Sequence, residues 1–396
     1  MSTSKPHFPK APPDGLLAAF LLAFLATAGL FYVNILAAIV DGLVSGMGIS
    51  EGAAGNIGSA NIYGAALGAL GAFFVVKRLP WRPMAVVALI GLIVLDMASI
   101  PIRSAEVLLP MRFVHGLVGG FLVGTAFSVI ARTQSPDRTF GMLLFVQFGL
   151  GGLGVMFLPR LVPVFGTQAL FLALAAFSLA TLLMVPFLDR YDTDRVARPL
   201  ASSDKIRTLP LIQTLVAIFL FQMANMALLA FIIRLGRGYG LETNFVSMAL
   251  GLATWIALIG PLVVMVIGVR YGRFWPLAIG IVLTLVGTAI FHLSASPWAY
   301  LLANCGTGIT WGMAIAYLFG MTAEFDKSGR TSALGGFISK LGLASGPMIA
   351  GRVLDAGLGF GSLINLALIG LALSGFLMLF PAHHLDRISR QEKLQK

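Results

Sequence analysis

Six stretches of the chain, residues 15–40, 52–76, 139–159, 208–233, 243–269 and 274–323, contain no Asp, Glu, Lys or Arg. Each is at least long enough to cross a bilayer, which takes about 20 apolar residues. The last is long enough to cross twice and is divided by a stretch running from His292 to Trp298. Together with the less pure apolar segments, the pattern predicts twelve spans, near 15–40, 52–76, 83–102, 107–131, 139–159, 167–188, 208–233, 243–269, 274–292, 297–323, 331–351 and 360–382. Spans of about 25 residues occupy most of the 396-residue chain and leave no room for a folded extramembrane domain. The predicted fold class is therefore an all-α integral membrane protein with twelve transmembrane helices, and function must lie within them.

Composition agrees. The chain is 58% hydrophobic and 11% charged, against about 25% charged in soluble domains, which excludes a water-soluble globule. A net charge of +11 would suggest nucleic acid in a soluble protein, but here the charges fall in loops. With the N-terminus inside, alternate segments hold twenty Lys and Arg, against five in the outer loops. Basic residues are retained on the cytoplasmic side, so both termini are predicted to be cytoplasmic in a multi-pass protein of the inner membrane. The first apolar run lacks a small-residue cleavage pattern and reads as a retained helix.

Several chemistries find no support. A single cysteine, Cys305, excludes a disulfide framework and a Cys-rich metal site. No Lys follows a Gly, so there is no phosphate-cradling loop and no nucleotide partner. His383 and His384 have only Asp386 beside them, too little for a metal. Enzyme chemistry and cofactors have no candidate residues.

The polar stretch 189–208 reads as a cytoplasmic linker that separates an N-terminal half, 1–188, from a C-terminal half, 209–396. At an offset of 192, Arg112 falls on Asn304, Gly116 on Gly308, Gly120 on Gly312 and Gly154 on Gly346. At 193, Lys77 falls on Arg270 and Pro83 on Pro276. The halves thus read as an internal duplication.

Twelve spans, inside termini, a central basic loop and this repeat resemble the major facilitator superfamily of transporters over the whole chain. The fourth-helix motif of that family is similar to Arg112-Phe-Val-His115-Gly116-Leu-Val-Gly119-Gly120. Its loop motif between spans 2 and 3 survives as Lys77-Arg78-Leu-Pro-Trp-Arg82-Pro83, and the second copy as Arg270-Tyr-Gly272-Arg273, both without the Asp that normally opens them. A Gly342, Gly346-Pro347, Gly351 string in span 11 reads as a hinge or as close packing. The resemblance implies two pseudo-symmetric six-helix bundles that rock about a central cavity lined by spans 1, 4, 7 and 10. It implies a small-molecule substrate and no enzyme activity.

Polar side chains are costly in hydrocarbon, so those inside spans are the candidate site. Lys340 in span 11 is the sharpest signal: it is either paired across the bundle or free to bind an anionic substrate, and Asp96 is the only acid well inside any span. Arg112 and Asp96 lie at similar depth on the span 3–4 hairpin and can pair, or Arg112 can touch substrate while Asp96 takes a proton. His115 shares a helix face with Arg112, and imidazole chemistry makes proton coupling possible there. Asn34, Gln147, Gln222, Asn225 and Asn304 are candidate substrate ligands or interhelical glue. Asp41 and Arg234 form a candidate outer gate, and Lys77 and Arg270 a candidate inner one. The resulting expectation is a secondary transporter of a small carboxylate-type organic anion, coupled to protons. The alternatives are an exporter of hydrophobic compounds, with Lys340 as a gate residue, and a membrane sensor or assembly factor that does not transport.

Overall fold

The computed structural model describes residues 10–13, 15–76, 78–189, 191, 208–325 and 330–394. The predicted linker and Lys77 lie largely or wholly outside these. The first half contains α1 (Leu16–Asn34), α2 (Leu36–Met47), α3 (Glu51–Val75), α4 (Trp81–Ser99), α5 (Ala105–Ile130), α6 (Pro136–Phe165) and α7 (Gln168–Met184). The second contains α8 (Thr208–Gly238), α9 (Thr243–Ile256), α10 (Ile259–Ile267), α11 (Phe274–Ile290), α12 (Pro297–Phe325), α13 (Arg330–Asp355) and α14 (Gly359–Leu394). No strand occurs among the described residues. Among the described residues, eleven apolar segments are long enough to cross a bilayer. The remaining expected span is α13, which has 26 residues but carries Lys340 and Arg352.

Two expected spans are each a pair of helices. The first breaks at Ile35, whose backbone sits at φ −108° and ψ 18°. The eighth breaks between Ile256 and Ile259, because Pro261 has no N–H to return to the Ala257 carbonyl. That carbonyl is taken up instead by the Gly260 N–H at 3.1 Å. Helix ends follow local chemistry: Ser50 accepts from the Ala53 N–H to start α3, and Gly48, at φ +71°, ends α2 in a left-handed conformation that disfavours a side chain.

The duplication is written into the packing. A Cβ at Gly68 on α3 would overlap the Leu117 carbonyl of α5, and a Cβ at Gly260 on α10 would overlap the Ile309 carbonyl of α12. Both positions and both partners are 192 residues apart. Gly154 meets Ile35, and Gly346 meets Ala227, at the same interval. At Gly68, Gly260 and Gly346 the neighbour is backbone, and only glycine lets the helices approach so closely.

The halves meet through two equivalent contacts, α3 with α13 and α6 with α9, and through α2 with α8. Lys10 pairs with Asp189 at 3.3 Å on the same face of the molecule as the α7 end and the α14 end, here called the tail face. Links between the halves concentrate toward the opposite, far face. There Arg234 meets Glu51 and Arg237 meets Asp41. Ser50 donates to Asp355 at 2.9 Å, and Arg160 donates to the Asn244 carbonyl at 3.0 Å. The Tyr63 to Ser345 hydrogen bond, 2.7 Å, lies at mid-height. Tailward along the same stripes, Leu67 and Leu70 on α3 and Leu334 on α13 are exposed. The molecule is therefore sealed at the far face and splayed at the tail face.

Candidate functional site

A cavity of about 310 Å³ lies where the halves meet, bounded by α1, α2 and α6 on one side and by α8, α9, α12 and α13 on the other. Asn34, Gln147, Gln222, Asn225 and Asn304, the five amides predicted from sequence, all line it. Helical spacing explains why they converge. Gln222, Asn225 and Leu229 share one face of α8, and Asn304, Thr307 and Trp311 share one face of α12.

Hydrogen bonds fix how these amides are turned. Gln222 accepts from Trp311 Nε1 at 2.6 Å and donates from Nε2 to Ser339 Oγ at 2.6 Å. Gln147 donates from Nε2 to Asn34 Oδ1 at 3.0 Å. Asn225 and Asn304 each donate to a carbonyl one turn back, Phe221 and Tyr300, at 2.8 Å. Gln147 Oε1, Asn225 Oδ1 and Asn304 Oδ1 accept nothing from the described residues. No charged side chain lines the cavity. Its wall is a neutral surface with unused acceptors, backed by Phe148, Phe291 and Trp311.

The two cations expected to touch substrate stand elsewhere. Arg112 is fully buried inside the first half. Its Nη1 donates to Asp96 at 2.7 Å and its Nη2 to the Leu95 carbonyl and to Ser99. The guanidinium lies 4.9 Å from the Phe171 ring centroid. This corrects the reading of Arg112 as a cavity ligand: the α4–α5 hairpin sets it at the depth of Asp96 and the pair closes on itself. His115 joins the cluster, with Nε2 at 3.3 Å from Asp96 Oδ2 and Nδ1 at 2.9 Å from Asn61 Nδ2. The amide donates to Nδ1, so the ring carries its proton on Nε2 toward the carboxylate. Tyr32 lies 5.6 Å from the His115 ring, two residues from Asn34 in the cavity wall.

Lys340 has no hydrogen bond or ion pair among the described residues and is half-buried. It is absent from the cavity wall but precedes Leu343, which lines it, by one turn on the tail side of α13.

The gates also differ from expectation. Asp41 and Arg234 do not pair with each other. Arg234 Nη2 meets Glu51 at 2.6 Å and Arg237 Nη1 meets Asp41 at 3.0 Å, because two bases one turn apart on α8 face one acid each on α2 and α3. Both pairs join the halves. Arg270, expected at an inner gate, stands on the tail face of its own half, 6.0 Å from the Tyr271 ring, with no polar partner among the described residues of the first half. Sequence reasoning missed Trp311 and Thr254 in the wall and Glu51, Arg237 and Asp355 at the far seal. The i, i+3, i+7 spacing of Asn304, Thr307 and Trp311 was the signal for the first.

A duplicated bundle of membrane-crossing helices, with a largely apolar cavity carrying five amides between its halves, sealed at one face and splayed at the other, defines a secondary transporter fold. The chain belongs to the Major Facilitator Superfamily, whose sequence profile matches residues 16–347. Comparison with curated proteins returns no match. Solved structures share the fold at low identity. The nucleoside transporter NupG is similar with a TM-score of 0.71 at 15% identity, over 93% of this chain and 98% of that one. The D-xylose–proton symporter gives 0.66 at 15%, over 92% and 96%. A bacterial homologue of the human lysosomal transporter Spinster, in an inward-facing and unoccupied conformation, gives 0.65 at 13%, over 96% and 98%.

Proposed function

We propose that this transporter carries a small, neutral solute rich in hydroxyl or N–H donors through the central cavity by alternating access, with residues 1–188 and 209–396 as the moving bundles and 189–208 as their linker. The observation that carries the reading is the chemistry of the wall: three amide oxygens without donors, and no cation to neutralise a carboxylate. An amide oxygen turned toward the cavity can accept from a donor-bearing ligand, whereas a carboxylate, itself only an acceptor, offers it no hydrogen. Nucleoside and sugar transporters among the structures of the same fold agree with a neutral cargo. Asn34, Gln147, Gln222, Asn225 and Asn304 are the proposed ligands.

The basic bias of the tail face supports assigning that face to the cytoplasm, and on that assignment the molecule opens inward, in what we take to be the inner membrane. Proton coupling is assigned to the Asp96, Arg112 and His115 cluster, in which a carboxylate and an imidazole share one contact beneath Tyr32. Asp41, Glu51, Arg234 and Arg237 form the outer gate.

One observation favours the carboxylate-type anion as a second reading. Lys340 has no counter-ion among the described residues and stands on the tailward approach to Leu343, where an entering anion could meet it. Thermal stabilisation of purified protein separates the two. Nucleosides and sugars are expected to stabilise the wild type, with the effect reduced about tenfold in affinity by Asn304→Leu or Asn225→Leu, the loss of one well-made hydrogen bond. Stabilisation by carboxylates alone, abolished in Lys340→Ala, would overturn the neutral-cargo reading.

A further inference from the structure

A second, larger recess of about 760 Å³ lies on the tail side of the second half, away from the central cavity, between α10, α11, α12 and the end of α14. Its layers are sharply divided. The rim holds Arg270, Tyr271, Arg273 and Trp275, and the deeper wall is Val263, Ile267, Ile279, Leu283 and Met313. Tyr271, Trp275, Ile279 and Leu283 are all exposed, so the recess opens sideways toward the hydrocarbon. Leu283 lies nine residues beyond the start of α11, so the apolar wall runs roughly 13 Å inward at about 1.5 Å per residue.

The charges at the rim are not equivalent. Arg273 is engaged by Glu324 at 2.7 Å. Asp386 is occupied by the backbone N–H groups of Arg273, which precedes α11, at 2.8 Å and of Phe274, its first residue, at 2.9 Å. Arg270 is exposed and has no counter-ion among the described residues, only the Tyr271 ring beneath it. The structure therefore shows one unneutralised guanidinium at the interfacial level, flanked by aromatics that favour that level, above a side-opening apolar slot.

We infer that this recess is a binding site for one anionic phospholipid, with the phosphate on Arg270 and an acyl chain along Ile279 and Leu283. The slot opens at α10, which is set off from α9 by the break before Pro261. A soluble phosphate would meet Arg270 but leave the slot bare. A zwitterionic lipid would fill the slot but bring no net charge to the guanidinium. Basic pockets between transmembrane helices on the cytoplasmic side hold anionic headgroups by this combination of charge and chain burial.

Native mass spectrometry of the detergent-purified protein with equimolar phosphatidylglycerol and phosphatidylcholine tests the site. The wild type should retain phosphatidylglycerol about fivefold over phosphatidylcholine, the ratio set by one basic group near a lipid phosphate. Arg270→Gln should erase that preference, Arg270→Lys should keep it, and Ile279→Trp should weaken retention of both lipids by filling the slot. Arg103→Gln, on an exposed far-face residue, should change nothing. Equal retention of the two lipids by the wild type, or an undiminished preference in Arg270→Gln, overturns the inference. So does thermal stabilisation by glycerol phosphate equal to that by phosphatidylglycerol, which would make the recess a soluble-phosphate site. Folding of Arg270→Gln is checked by its response to cavity ligands, which the lipid site leaves intact.

Discussion

Asp96 holds a guanidinium that has no route to water, and removing one partner of such a pair is far more costly than removing both. Asp96→Asn should destabilise the protein by about 3–5 kcal/mol, as for a broken buried ion pair. Adding Arg112→Met should restore much of that, measured by denaturant unfolding in detergent. Transport by the double variant should no longer respond to a pH gradient. At this scale the sequence was informative about depth and silent about direction. Counting along the hairpin placed Asp96 level with Arg112, and the pair exists. The same counting could not tell that Arg112 turns into its own half while Asn304, its counterpart in the repeat, turns into the cavity. Lys340 shows the same limit, since its register within α13 was readable and its angular position beside the cavity wall was not. Polar residues in apolar runs identified all five amides because each had to find a partner or a polar space. Trp311 escaped because an indole in a greasy helix is unremarked until its N–H proves to hold Gln222.

Between helices, the glycines found at matching intervals mark where backbones touch. Gly68→Ala and Gly260→Ala each drive a methyl into a carbonyl oxygen of the neighbouring helix, and overpacking of this kind typically costs about 1–3 kcal/mol. The two variants should lose thermal stability by similar amounts, since their contacts are equivalent, whereas Gly71→Ala, with open space around it, should be neutral or stabilising. The apolar runs and the 192-residue interval make the spans and the repeat legible in the sequence alone. The interruptions are less so. Pro261 sits in an unbroken hydrophobic stretch, and a hydropathy reading has no term for a missing N–H. Ile35 offers no such cue, and nothing in its side chain marks its departure from helical geometry.

For the molecule as a whole, the balance between faces rests on few polar links. Asp41 is buried and meets the exposed Arg237, while Glu51 and Arg234 meet with both side chains half-buried. Neutralising both acids, Asp41→Asn with Glu51→Gln, should shift the population toward a state open at the far face. A favourable pair of this kind contributes up to about 1 kcal/mol, so a roughly tenfold rise in far-side alkylation of a cysteine placed at Val33, in a Cys305→Ala background, is expected. No change in alkylation would mean that packing of α3 on α13 keeps the far face shut. The wrong partner predicted for Asp41 has a simple origin: repeat arithmetic pairs equivalent positions, but closure is decided by which side chains reach across the seam.

The two copies of the repeat share their rigid joints but not their chemistry. Arg112 and His115 correspond to Asn304 and Thr307, and Asp96 to Thr288, so every titrating member of the first cluster is matched by a neutral residue, two of them in the wall of the cavity. One copy of the repeat keeps the ionisable groups, and in the other two of the same positions present neutral side chains to the cavity.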